Sequence, residues 1–250
     1  MTATQASSTG QQPPPVHPAA PPTNPVLRFW RSAVGKKWVM AVTGIMLLGF
    51  VFAHMIGNLK IYLGAGPLNH YADWLRTLGE PALPRTVLLW IMRVGLMGAF
   101  FLHIVSAAQL TRMNHRARPT KYQSPRDYAA ANFASRTMRW TGVIVGLYLI
   151  FHLMDLTWGN PAVSTHFVRG HTYQNAVASF KRVPVAIVYI LANLALAVHI
   201  FHGAWSMFQS LGLNNPKWNN ARRSFAIGFA TLIAVGNVSM PLMVVTGVVK

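Results

Sequence analysis

Long uncharged apolar runs alternate with short polar segments and set the expected architecture. Five runs reach the roughly 20 residues that a helix needs to cross the hydrocarbon core of a bilayer: 38–58, 86–111, 140–158, 183–211 and 224–249. The second is interrupted by Arg93, and the third holds Asp155 near its end. The pattern predicts an all-α bundle of five transmembrane helices over residues 26–250. Glycines 44, 49, 95, 98, 142, 146, 203 and 228 are expected where helices pack closely. Pro241 is expected to bend the fifth helix, whereas Pro184 falls in the tolerant first turn of the fourth. In the first loop, Leu68, Tyr71, Leu75 and Leu78 recur at helical spacing and predict a short interfacial helix.

Residues 1–25 break this pattern, holding seven of the 16 prolines among Ser, Thr, Gln and Ala, with no charged side chain. They are read as a flexible tail. Without a basic start and an apolar core they are not a signal peptide, and without arginines not a transit peptide.

Composition narrows the class further. Only 10% of the 250 residues are charged and 52% are hydrophobic, against about 25% charged in a soluble domain. A soluble globular protein is therefore excluded. The formal charge of +18 raises nucleic acid as a partner, but the basic residues fall between apolar runs and form no folded polar face. The absence of cysteine rules out disulfides and any thiolate-ligated centre built by this chain alone.

The basic residues also orient the chain. Fourteen flank the ends shared by the amino terminus, the second loop and the fourth loop, and seven lie on the opposite side. By the positive-inside rule the amino terminus is expected in the cytoplasm and the carboxyl terminus outside.

Histidines carry the candidate chemistry. Five of the ten lie within spans: His54, His103, His152, His199 and His202. Ionisable groups at membrane depth are costly and normally face the bundle interior with a partner. Four spans supply at least one and the fifth supplies none. Thr43-Gly44 precedes His54 as Thr141-Gly142 precedes His152, ten residues from Gly to His in both. The separations 54 to 152 and 103 to 199 are 98 and 96 residues. These matches indicate a two-helix unit used twice, with the fifth span appended. Small residues one turn beyond His103 and His199, Ala107 and Gly203, leave room for a flat ligand.

Depth pairs the imidazoles. Counting helical rise from the inner edges puts His54 and His152 about 24 and 18 Å deep, and His103 and His199 about 12 and 15 Å deep. Two pairs of imidazoles at two levels, with no thiolate, suit two haem b groups, each held by two histidines. A single haem, or a histidine-ligated iron–sulfur centre with cysteines lent by a partner, is the alternative; zinc would want its ligands at one level. His202 competes with His199 as ligand, or bonds a propionate or a quinone oxygen, or caps a neighbouring helix. Asp155 either orients His152 or faces interfacial water. Arg93 either neutralises a haem propionate or snorkels to the interface.

The order of these features resembles the cytochrome b membrane-anchor subunit of prokaryotic succinate dehydrogenase and fumarate reductase (complex II), in its single-anchor five-helix form. The residues that carry the resemblance are Ser32-Ala33-Val34-Gly35-Lys36-Lys37 with Thr43-Gly44, His54 with Asn58, and Asn69-His70-Tyr71-Ala72. His103, Arg139 to Gly142 leading to Phe151-His152, and His199 with Gly203-Ala204-Trp205 complete the set. The resemblance implies haem ligation by His54 with His152 and by His103 with His199. It implies a flavoprotein and an iron–sulfur subunit on the cytoplasmic face, membrane quinone as substrate, and a bacterial inner membrane. An inner quinone site is expected around Trp30, Ser32, Lys36 and Trp38 with His202 or Trp205 opposite, or an outer one near His54, Tyr71 and Arg93. The haem anchor of another quinone-linked dehydrogenase, and a transporter or proton channel lined by the histidines and Asp155, are the rival readings; a purely structural anchor would tolerate loss of His54 and His152.

Overall fold

The structure is a computed structural model that describes residues 24–117 and 133–250. The expected tail, up to residue 23, and the loop residues Arg118, Lys121 and Arg126 lie outside the described residues. The described chain forms α1 (Pro25–Arg31), α2 (Ala33–Asn58), α3 (Ala65–Thr77), α4 (Val87–Ala117), α5 (Phe133–Leu153), α6 (Thr172–Lys181), α7 (Val183–Ser210) and α8 (Asn219–Val245), with no strand among the described residues. Five helical segments are long and apolar enough to cross a membrane, as the hydropathy pattern predicts.

The helix ends depart from the apolar runs for local reasons. α2 begins at Ala33, ahead of the expected 38, because Ser32 caps it: the Ser32 Oγ accepts from the Gly35 amide at 2.8 Å. Its first turns therefore carry Lys36 and Lys37, which hydropathy assigned to the flank. α4 continues to Ala117, lifting Arg112 and Arg116 onto the helix. α5 passes into a π-helical turn over Met154–Trp158. α8 runs unbroken through the buried Pro241 and stops at Val245, short of the expected 249, where Gly247 takes a φ of 77°. The interfacial helix α3 ends at Thr77 and leaves Leu78 in the loop.

Close packing joins α2 to α4, α5 to α7 and α2 to α7, with α8 laid against α7 and α2 and the short α3 and α6 packed on each other. No such packing joins α4 to α5 among the described residues. One apolar cluster (Met55, Ile200, Ala230 and Ile233) fills the space between α2, α7 and α8. A second, with Ile61, Leu68, Phe180, Tyr189 and Met240, lies under α3 and α6. Large apolar side chains such as Trp90, Met97, Phe101, Leu147 and Leu191 cover the outside. That inversion follows from the solvent: lipid tails exert no hydrophobic drive, so small residues pack helices and large ones face lipid.

Of the glycines expected at helix contacts, Gly44, Gly142 and Gly203 lie against a side chain of another helix, and the others do not. Gly49, Gly95, Gly98, Gly146 and Gly228 have open space where a Cβ would stand. Closer approaches between helices are at Gly57, against the Tyr71 ring, and Gly236, against Met55. Gly57→Ala should therefore lower stability by about 1–3 kcal/mol, whereas Gly49→Ala should leave it nearly unchanged. Thermal unfolding of the detergent-solubilised protein distinguishes the two.

Candidate functional site

The helices bring four of the five intramembrane histidines together in two pairs. His54 on α2 faces His152 on α5 with ring centroids 5.9 Å apart and planes at 85°. His103 on α4 faces His199 on α7 at 6.5 Å and 62°. Both pairs run between helices that are not sequence neighbours. His103, His152 and His199 are half-buried and His54 is exposed, so the pairs border open space and are not sealed in a core.

In the inner pair each ring is held at Nδ1. The His103 Nδ1 lies 3.1 Å from the Met40 carbonyl and 3.3 Å from the Thr43 hydroxyl. A carbonyl only accepts, so Nδ1 carries the proton and Nε2 is left with its lone pair. The second unit keeps this arrangement: the His199 Nδ1 lies 3.3 Å from the Thr141 hydroxyl, beside the backbone of Met138. Thr43 and Thr141 each donate their own proton back into the helix, to Val39 and Met138 among others. Glycine then admits the ring: a Cβ at Gly44 would lie 3.6 Å from the His103 Cε1, and one at Gly142 would lie 3.3 Å from the His199 Cε1. The repeated Thr-Gly thus serves the inner histidine of a neighbouring helix and not the outer histidine ten residues along its own.

The outer pair has different partners. The Tyr189 hydroxyl donates to the Asp155 Oδ2 at 2.9 Å and lies 3.4 Å from the His152 Nδ1. Its proton being committed to Asp155, the phenol oxygen accepts from His152, which again leaves Nε2 free. Asp155 is fully buried. It also accepts from the Ser179 hydroxyl and, at 2.7 Å, from the Arg182 guanidinium. A carboxylate out of water is tolerable only with such partners. Of the two expectations for Asp155, water at the interface is excluded, and its reach to His152 runs through Tyr189. The π-helical turn that follows His152 carries Asp155, a local device often found at functional positions. His54 stacks on Phe50 at 5.2 Å, and its Nε2 accepts from the Asn58 amide at 3.0 Å.

The remaining expected residues scatter. Arg93 is exposed and lies over the Trp90 ring at 5.1 Å. Tyr71 stacks on Trp74 at 5.8 Å, beneath the Lys60 ammonium. Trp30, Ser32 and Lys36 meet at the α1–α2 junction, where the Lys36 ammonium bonds the Trp30 carbonyl and Ser32 is the cap. Trp38 is 42% exposed on the outside of α2. On α7 the buried His202 Nδ1 and Trp205 Nε1 have no hydrogen-bond partner among the described residues.

Sequence reasoning missed Tyr189, Ser179 and Arg182, and missed the roles of Thr43, Thr141 and the Met40 and Met138 carbonyls. The threonines were visible as half of a repeated dipeptide. A backbone carbonyl leaves no mark in sequence, and Tyr189 stands 37 residues from the ring it meets.

Comparison with protein families matches residues 112–238 to the succinate dehydrogenase/fumarate reductase transmembrane subunit. Comparisons with curated proteins and with solved structures find no match. The matched stretch spans just over half of the chain and takes in His152, His199, His202, Asp155 and Tyr189. The chain belongs to the family of succinate dehydrogenase/fumarate reductase transmembrane subunits and is a multi-pass membrane protein.

Proposed function

We propose that this chain is the electron-transfer anchor of a succinate:quinone oxidoreductase, of prokaryotic single-anchor type, in a bacterial inner membrane with its amino terminus in the cytoplasm. It stands between a flavoprotein and an iron–sulfur subunit on that face and quinone in the bilayer. The observation that carries the reading is the pairing of imidazoles at two levels inside an apolar bundle.

The donor set fits haem. Imidazole nitrogens bind first-row metal ions at about 2.0–2.1 Å, so two rings that would share one ion need centres roughly 6 Å apart. The observed 5.9 and 6.5 Å bracket that separation. His103 with His199, and His54 with His152, would hold two haem b groups. When bound, haem supplies one-electron redox chemistry at a potential tuned by axial ligand, burial and nearby charge.

The chain's own residues then have definite tasks. Met40, Thr43, Met138 and Thr141 fix the inner rings and hold the Nδ1 protons, which keeps Nε2 basic. Gly44 and Gly142 give those rings space. Quinone needs donors for its carbonyls in an apolar slot; the unpartnered His202 and Trp205, one turn apart on α7, are the best placed. A single haem at the inner level is the second reading, and it is favoured by the Asn58 amide that occupies the His54 Nε2.

Reduced-minus-oxidised spectra with pyridine haemochrome quantification should give two haems per chain, falling to one with His152→Ala. One haem in the parent protein, retained in His152→Ala, would select the second reading; a colourless protein would remove haem but not the family. Tyr189→Phe removes the phenol between Asp155 and His152, making the imidazole less electron-rich. It should raise the midpoint potential of the outer centre in a potentiometric titration and leave the inner one in place.

A further inference from the structure

Lys36 is a cation buried to 6% exposure near the start of α2. Its ammonium bonds the Trp30 carbonyl and lies 5.3 Å from the Trp30 ring centre. An ammonium has three protons to donate, and among the described residues it uses one. With Gln109, Arg112, Met113 and Arg116 of α4 it lines a cavity of about 250 Å³. Neither arginine has an ion-pair partner among the described residues. The described carboxylates, Asp73, Glu80 and Asp155, belong to the other end of the bundle, and Asp127 lies outside the described residues.

Three cations around one cavity repel one another unless an anion joins them. A neutral quinone head group leaves that repulsion in place. A zwitterionic lipid brings a phosphate but also an ammonium of the same sign as the wall. A phosphate group carrying net negative charge satisfies all three, and guanidinium forks match its oxygens in geometry. The place fits a lipid better than a free anion. The cavity lies on the flank where α4 packs closely on α2 and, among the described residues, on no other long helix to the same extent. Next to it, the interface residue Trp38 is 42% exposed, and Val42, Phe101, Leu102 and Ile104 turn apolar surface outward along the same two helices. That surface can take acyl chains while the head group sits among the cations. We propose that the cavity between the start of α2 and the end of α4 binds the phosphate of an anionic phospholipid. The proposal does not rest on the haem reading.

The test uses the full chain purified from membranes with its bound partners, stripped of lipid in neutral detergent and examined by native mass spectrometry. The probes are dioleoyl phosphatidylglycerol, dioleoyl phosphatidylcholine and inorganic phosphate. One phosphatidylglycerol per chain should bind above the level of phosphatidylcholine, and inorganic phosphate should bind more weakly. The Arg112→Gln, Arg116→Gln double variant, which alters only exposed or half-exposed side chains, should bind that lipid about thirty-fold less tightly. Equal retention of phosphatidylcholine, or equal binding by the double variant, overturns the proposal. Inorganic phosphate binding as tightly as the lipid makes this a free-anion site and also overturns it. So does loss of a bound chromophore from the double variant with lipid binding intact, which would assign the cations to a prosthetic carboxylate.

Discussion

An imidazole within a bilayer cannot leave its N–H unanswered, because no water is present to accept it. In three of the four paired rings, His103, His152 and His199, that constraint is met at Nδ1 and Nε2 is left free, whereas at His54 the Asn58 amide occupies Nε2. His103 gives its Nδ1 proton to the Met40 carbonyl, and His199 gives its own to the Thr141 hydroxyl, whose proton is committed to its helix backbone. His152 gives its proton to Tyr189. Each answer fixes both tautomer and ring direction, so these three rings meet their neighbours across helices with a lone pair available. The helix contacts, the glycine at each inner ring and the threonine one residue before it follow from holding those rings in place.

The two levels share a plan and differ in charge. The inner level is symmetric: Thr43, Gly44 and His103 repeat as Thr141, Gly142 and His199, with the same bonds. Its partners are neutral. At the outer level the duplicated units have diverged. His54 is followed by Asn58, which bonds it directly, whereas His152 is followed by Asp155, which reaches it only through Tyr189. Asp155 is in turn anchored by Ser179 and Arg182 at the α6–α7 corner. A buried carboxylate two bonds removed from one ring makes the outer level electrostatically unlike the inner. In the proposed electron-transfer role, that asymmetry would separate the properties of two otherwise similar centres.

A polar ladder also ties the outer level to the appended helix. Asn237 on α8 donates to Asn193 on α7 at 2.9 Å, and Asn193 donates to the Tyr148 hydroxyl on α5 at 3.3 Å. Tyr148 lies 5.8 Å from His152. Such amide contacts between membrane helices contribute on the order of 1 kcal/mol each. Their value here is positional: α8 supplies no histidine, yet it buttresses the helices that do.

The five spans, the all-α class and the identity of the paired histidines were legible in the sequence, because lipid imposes a composition that a single chain displays directly. Runs of apolar residues report length, and histidines among them stand out by their cost. The doubled spacing showed the repeat as well. What the repeat was for did not show. Thr43-Gly44 and His103 lie on different helices, and only packing reveals that they touch. Helix ends were misjudged where a cap, as at Ser32, or a positive φ, as at Gly247, outweighed hydropathy. Most glycines expected at contacts face open space, since composition cannot say which side of a helix meets a neighbour. Asp155 was placed between two readings because its partners, Ser179, Arg182 and Tyr189, are brought to it by a π-helical turn and a second helix pair. Hydropathy is a property of each residue in turn, so the chain alone carries it; hydrogen bonds belong to pairs, and only the assembled bundle chooses the partners.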